Sequence, residues 1–185
     1  MAYGTLTLIT GPMFAGKSTE LLKDVLWAMN GERHPVAVLK PAFDTRYGVE
    51  RIVSHDGLSA EALPIAQWPE FEKNIRHVFI DEVQFREAPR FEGDLVASIR
   101  QELMQGRHVT ASGLDMDFMG RPFMITAALL AMADKIIKKT AHCTICGRPA
   151  TKTFRLGNST NVVELGESDK YEARCNDHWI APLSQ

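Results

Sequence analysis

Gly11-Pro12-Met13-Phe14-Ala15-Gly16-Lys17-Ser18 lies between an apolar run, Leu6-Thr7-Leu8-Ile9-Thr10, and a stretch in which Leu21, Leu22, Val25, Leu26, Ala28 and Met29 recur at helical spacing. A buried strand followed at once by a glycine-bounded turn and a helix confines a chain to an α/β arrangement, because the crossover brings the next strand back parallel to the first. The octet also fits the phosphate-loop pattern G-x-x-x-x-G-K-[ST]. Its glycines let the backbone wrap a polyphosphate with the N–H groups turned inward, at the positive end of the helix that follows. Lys17 adds a charge, and the Ser18 hydroxyl suits Mg²⁺. These features predict a nucleotide-binding protein.

The rest of the chain continues the alternation. Val36-Ala37-Val38-Leu39 reads as a second buried strand and Val78-Phe79-Ile80 as a third, ending in the acidic pair Asp81-Glu82 as a Walker B strand does. Leu95, Val96, Ile99 and Leu103 form the stripe of a helix that closes at Gln105-Gly106. The run from His108 to Ser112 is a strand ended by Gly113, Thr126 to Met132 is helical, and Lys135-Ile136-Ile137 resumes a strand. Such order implies a mostly parallel sheet with ligands at the carboxyl ends of its strands. Between Phe43 and Ser59 lie Asp44, Arg46, Tyr47, Arg51, His55 and Asp56 with glycines and no period, which predicts a long loop suited to covering a site.

At 185 residues the chain supports one full core and a small appendage. Two parts are expected: residues 1–140 as the catalytic, nucleotide-binding domain and residues 141–185 as a metal-clipped one. In the second, Cys143-Thr144-Ile145-Cys146 and Cys175-Asn176-Asp177-His178 form two C-x-x-[CH] pairs, the spacing of a four-ligand structural zinc site. His142 is expected to stand outside it. A net charge of -2 and a pI near 6.3 give no global field for nucleic acid. No window is apolar enough to span a bilayer, and Met1-Ala2-Tyr3-Gly4-Thr5 lacks the features of a secretory signal, so a cytoplasmic protein without membrane partners is expected.

Phosphoryl transfer needs alignment and charge neutralisation more than covalent help. The loop amides and Lys17 are placed to hold β- and γ-phosphates of ATP, with Ser18 and Asp81 around Mg²⁺ and Glu82 left as general base. Arg46 is a candidate second phosphate clamp. Met13, Phe14, Phe85, Phe118 and Phe123 are candidates to wall a flat slot for a base or sugar. On these residues alone, water and an organic hydroxyl both fit as the attacking group. A small RecA-like ATPase that grips nucleic acid is the rival; the cysteine region lacks the basic stripe it needs.

The order and spacing of these motifs resemble the zinc-containing thymidine kinases over nearly the whole chain. The resemblance is carried by Gly11 to Leu21, Asp44-Thr45-Arg46-Tyr47, Ser54-His55-Asp56-Gly57, Asp81-Glu82-Val83-Gln84-Phe85, Gly113 to Phe118 with Pro122-Phe123, and the paired cysteine motifs. It implies a RecA-like P-loop domain with a small zinc-binding lasso, transfer of the ATP γ-phosphoryl group to the 5′-hydroxyl of thymidine, and Glu82 as catalytic base. It adds Thr19 and Gln84 to the ATP-binding set. Val162, Val163 and Tyr171 become base- and sugar-site candidates beside Met13, Phe85, Leu114, Phe118 and Phe123. A homotetramer is implied, with deoxyuridine as a further candidate acceptor. Gly166-Glu167 departs from the family's usual Gly-Gly pair, and His178 stands where cysteine is commoner.

Overall fold

In chain order the principal elements are β1 (Leu6–Thr10), α1 (Lys17–Gly31), β2 (Val36–Pro41), β3 (Arg51–Val53), β4 (Ser59–Glu61), β5 (Leu63–Ile65), β6 (His77–Ile80), α2 (Leu95–Met104), β7 (His108–Gly113), α3 (Met124–Met132) and β8 (Lys135–Lys138). They come from a computed structural model that describes residues 2–31, 35–44, 48, 50–54, 56–86, 89–157 and 170–180. Six strands form one sheet in the order β5-β2-β6-β7-β1-β8, with every neighbouring pair parallel. The carboxyl ends of β1, β6 and β7 therefore lie side by side at the middle of one sheet edge, where an open α/β sheet places its ligands. This bears out the expected P-loop α/β fold.

Alternation along the strands explains the layers. Leu6, Leu8, Val78, Ile80 and Val109 face one cluster with Leu95, Ile99 and Leu103 of α2 and Ile125 and Leu129 of α3. Ile9, Val38 and Phe79, one residue out of step, face a second cluster with Leu21, Leu22, Val25 and Ala28 of α1. Asp94 caps α2 by accepting from the Ala97 amide at 2.9 Å, and Gln105-Gly106 ends that helix as expected.

Two regions are more ordered than the sequence foretold. The stretch from Phe43 to Ser59 is not loop throughout: β3 pairs antiparallel with β4, and Ile52 and Ala62 pack beneath α1. The Lys40 ammonium, buried at the end of β2, donates to the carbonyls of Gly48 (3.0 Å) and Arg51 (2.9 Å) and ties this segment to the sheet. Beyond β8, the appendage expected to be metal-clipped contains two small antiparallel pairs, β9 (Ala141–His142) with β10 (Pro149–Ala150) and β11 (Lys152–Arg155) with β12 (Tyr171–Arg174). Among the described residues no helix is long and apolar enough to cross a membrane.

Candidate active site and metal centre

The loop after β1 is held in a shape few sequences adopt. Gly11 and Gly16 have φ of 145° and 71°, and a Cβ on Gly11 would sit 2.4 Å from the Lys139 carbonyl oxygen. Phe14 is also left-handed, at φ 63°, a conformation that costs a bulky L-residue roughly 1–2 kcal/mol and needs outside support. Lys17 is buried, and its ammonium donates to the Pro12 carbonyl at 2.7 Å. Burial lowers its pKa, while Glu82, Asp81 and Asp115 oppose the shift. Ser18 donates to Asp81 Oδ2 at 3.0 Å, and Thr19 donates to Asp56 Oδ2 at 2.8 Å, so the segment expected to cover the site does reach it.

The acidic pair follows β6 directly. Asp81 is buried and accepts from Ser18, from Ser112 at the end of β7, and from the Glu82 amide at 3.0 Å. Burial, and then the neighbouring Glu82, push its pKa up to about 6. Its charge is therefore expensive where it stands, and a cation bound against it would recover that cost. Glu82 has φ 56° and ψ 46°, so the chain turns left-handed at this residue before the short 3₁₀ turn Val83–Phe85. Strain of this kind gathers at functional positions. Gln84 fixes the side chain: its Nε2 donates to Glu82 Oε2, and its Oε1 accepts from the Leu114 amide at 3.0 Å. Gly113 leaves room for that bridge, since a Cβ there would lie 2.6 Å from Gln84 Oε1.

Beneath the pair lies Arg86, which sequence reasoning missed. Its buried guanidinium donates to the carbonyls of Ile65 (3.0 Å) and Asp81 (3.4 Å) and packs over the Phe91 ring. Burial lowers its pKa to about 9, against the pull of Asp81 and Glu82. No motif announces such a residue; only its position behind two buried strand ends does.

The apolar candidates gather around the β7–α3 connection. Phe85 meets Phe123 edge-on at 6.5 Å between centroids and also meets Phe43 edge-on at 5.7 Å. Phe118 and Tyr171 both flank the Arg155 guanidinium, at 4.8 and 5.3 Å. Leu114 is buried at the end of the Gln84 bridge, and the Met13 amide donates to Thr153 Oγ1 at 3.1 Å. Arg46, Val162 and Val163 lie outside the described residues, as do Gly166 and Glu167. Phe43, Ser112 and Arg155 were not foreseen. The one available signal for Arg155 was alternation, since Thr153 and Arg155 share the inward face of β11.

Cys143, Cys146, Cys175 and His178 converge as expected, with their ligand atoms all within 4.8 Å of one another, and they can hold a metal ion. Cys146 and Cys175 sulfurs are 3.8 Å apart, the edge of a tetrahedron with metal–sulfur bonds of about 2.3 Å. Tight turns aim the ligands: the Gly147 amide donates to the Cys143 carbonyl at 2.8 Å and the His178 amide to the Cys175 carbonyl at 3.1 Å. A hydrogen bond from Arg148 lowers the Cys146 pKa. Burial pushes Cys143 up, but hydrogen bonds from the surrounding backbone and Cys146 outweigh it and leave that thiol at about 5. These two thiols ionise readily, as a metal ligand must, whereas burial pushes the Cys175 thiol up. His142 is not in the cluster; its Nδ1 lies 3.2 Å from the Gly147 carbonyl oxygen.

A strand, a phosphate loop and a helix opening a parallel sheet, with a carboxylate pair two strands away, define the P-loop class of α/β proteins. Within that class, the sequence model of the thymidine kinase family matches residues 4–179. The chain is 40% identical to a thymidine kinase of Thermococcus kodakarensis over 97% of this chain and 95% of that one. It is 41% identical to one of Coprothermobacter proteolyticus, covering 97% and 92%, and 38% identical to one of Pyrobaculum aerophilum, covering 96% and 99%. The chain belongs to the thymidine kinase family, whose reaction is phosphoryl transfer to thymidine.

Proposed function

We propose that this chain transfers the γ-phosphoryl group of ATP to the 5′-hydroxyl of thymidine at the carboxyl ends of β1, β6 and β7, with Glu82 as general base. The observation that carries the reading is the Glu82 carboxylate, held by Gln84 at a left-handed turn next to the buried Asp81 and within the field of Lys17. Glu82 accepts the 5′ proton as the oxygen attacks the γ-phosphorus and ADP departs. Residues 11 to 19 cradle the phosphates, Lys17 neutralises charge that develops on them, and Arg46 adds a second clamp. Ser18 and Asp81 are oxygen donors suited to Mg²⁺, which when bound spreads charge over the β- and γ-phosphates.

Phe85, Phe118, Phe123, Leu114, Met13 and Tyr171, with Val162 and Val163, form the nucleoside site in this reading. The three thiols and one imidazole are the donor set of structural zinc, which fastens the segment from residue 141 onward as a separate small domain. Assembly as a homotetramer and a cytoplasmic location belong to the reading through the family alone. Incubation with γ-labelled ATP and a panel of nucleosides tests it: label appears in thymidine monophosphate. Phosphate release that needs no nucleoside and rises with DNA would replace the kinase by an ATPase.

A further inference from the structure

The hairpins around the metal cluster lie directly against the phosphate loop. The Met13 amide donates to the hydroxyl of Thr153, a buried residue of β11 far along the chain. That amide is thereby occupied by a side chain of the metal-held segment. The backbone carbonyl of the same Thr153 accepts from the indole of Trp179 at 3.1 Å. Trp179 follows the ligand His178, and its own amide donates to the carbonyl of the ligand Cys175 at 2.9 Å. Its ring lies so close to Gly120, in the β7–α3 connection, that a Cβ there would meet it at 2.8 Å.

Packing repeats the connection. Ala15, in the phosphate loop, shares an apolar cluster with Ala141, Ala150, Ala173 and the ligands Cys143 and Cys175, and Phe14 packs against it. Phe14 is the residue held in a left-handed conformation. Two of the metal ligands, Cys143 and Cys175, thus belong to the cluster against which the one strained, bulky residue of the loop packs.

We propose that the metal-held hairpins are a prop for the phosphate loop, and that Thr153 and Trp179 are positioning residues through which metal binding sets the affinity for ATP. The proposal rests on the reading that the loop takes ATP, and it assigns the metal a task at the phosphates in addition to fastening its own segment. Removing the metal releases Trp179 from its turn. The Thr153 hydroxyl then loses its fixed position, and the loop relaxes away from the shape that presents its amides.

The test is a calorimetric titration of the metal-loaded full chain with ATP and Mg²⁺, without any nucleoside. Thr153→Val keeps the β-branched shape and deletes the hydroxyl; it binds ATP roughly five- to tenfold more weakly, as expected for one partly buried hydrogen bond. Thr153→Ser keeps the hydroxyl and stays within about twofold of the unaltered chain. Amide hydrogen exchange read on the ligand-free protein supplies a second measure: residues 13–17 exchange faster in Thr153→Val, in Trp179→Phe and after chelation of the metal. Unchanged ATP affinity in Thr153→Val, equal weakening in Thr153→Ser, or unchanged exchange at the loop in Trp179→Phe would each overturn the prop. If the unaltered chain bound no ATP, the functional reading would fall first, and the prop with it.

Discussion

Replacing Glu82 with glutamine lowers kcat by roughly 10²- to 10⁴-fold, the range for loss of a positioned general base. Affinity for ATP stays within about twofold, because the lost charge is not among the groups that cradle the phosphates. The substitution is conservative in shape: a glutamine carbonyl still accepts from Gln84 Nε2, so the left-handed turn and the bridge to Leu114 survive. Single-turnover measurement with saturating thymidine isolates the chemical step. A variant that turns over at the original rate would remove Glu82 from the role of base and leave the acidic pair as a support for the cation alone.

Replacing Lys17 with methionine reduces kcat/KM on the order of a thousandfold, since a buried charge aimed at a developing oxyanion acts where solvent screens little. Lys17 is a buried cation among Glu82, Asp81 and Asp115, and its ammonium lies against the loop carbonyl of Pro12. Arginine does not restore activity, because the planar guanidinium is too large for a site closed around an ammonium. Steady-state kinetics with ATP varied decide the matter, and thymidine binding measured separately stays intact. Activity within about tenfold of the original in Lys17→Met would mean that the phosphates are held elsewhere.

The parts of this protein visible in its sequence are those set by local chemistry. The phosphate loop, the Asp81-Glu82 pair and the paired cysteine motifs each lie within a few residues, and each obeys a spacing rule that composition cannot blur. The long strands announced themselves through apolar runs, and α1 through its stripe. What stayed hidden depends on distant partners. β3, β4 and β5 have three residues each, too few to alternate visibly; Ile52 of β3 finds cover under α1, while β5 pairs with β2 and buries Ile65 on the opposite face of the sheet. The left-handed turn at Glu82 is stabilised by Gln84 and the end of β7. The hydrogen bond between Met13 and Thr153 spans 140 residues. Arg86 and Arg155 read as surface charges in a one-dimensional string and are buried only because strand ends and aromatic rings close over them.

The proposed reaction needs the acceptor oxygen of thymidine to meet the Glu82 carboxylate beside the terminal phosphate held by the loop at Lys17. A crystal structure with thymidine and a non-hydrolysable ATP analogue measures that most directly. The expected result is a 5′ oxygen within hydrogen-bond reach of Glu82, about 2.6–3.2 Å, and in line with the γ-phosphorus. A 5′ oxygen lodged far from Glu82, with the pyrimidine away from Phe85, Phe118 and Tyr171, would contradict it.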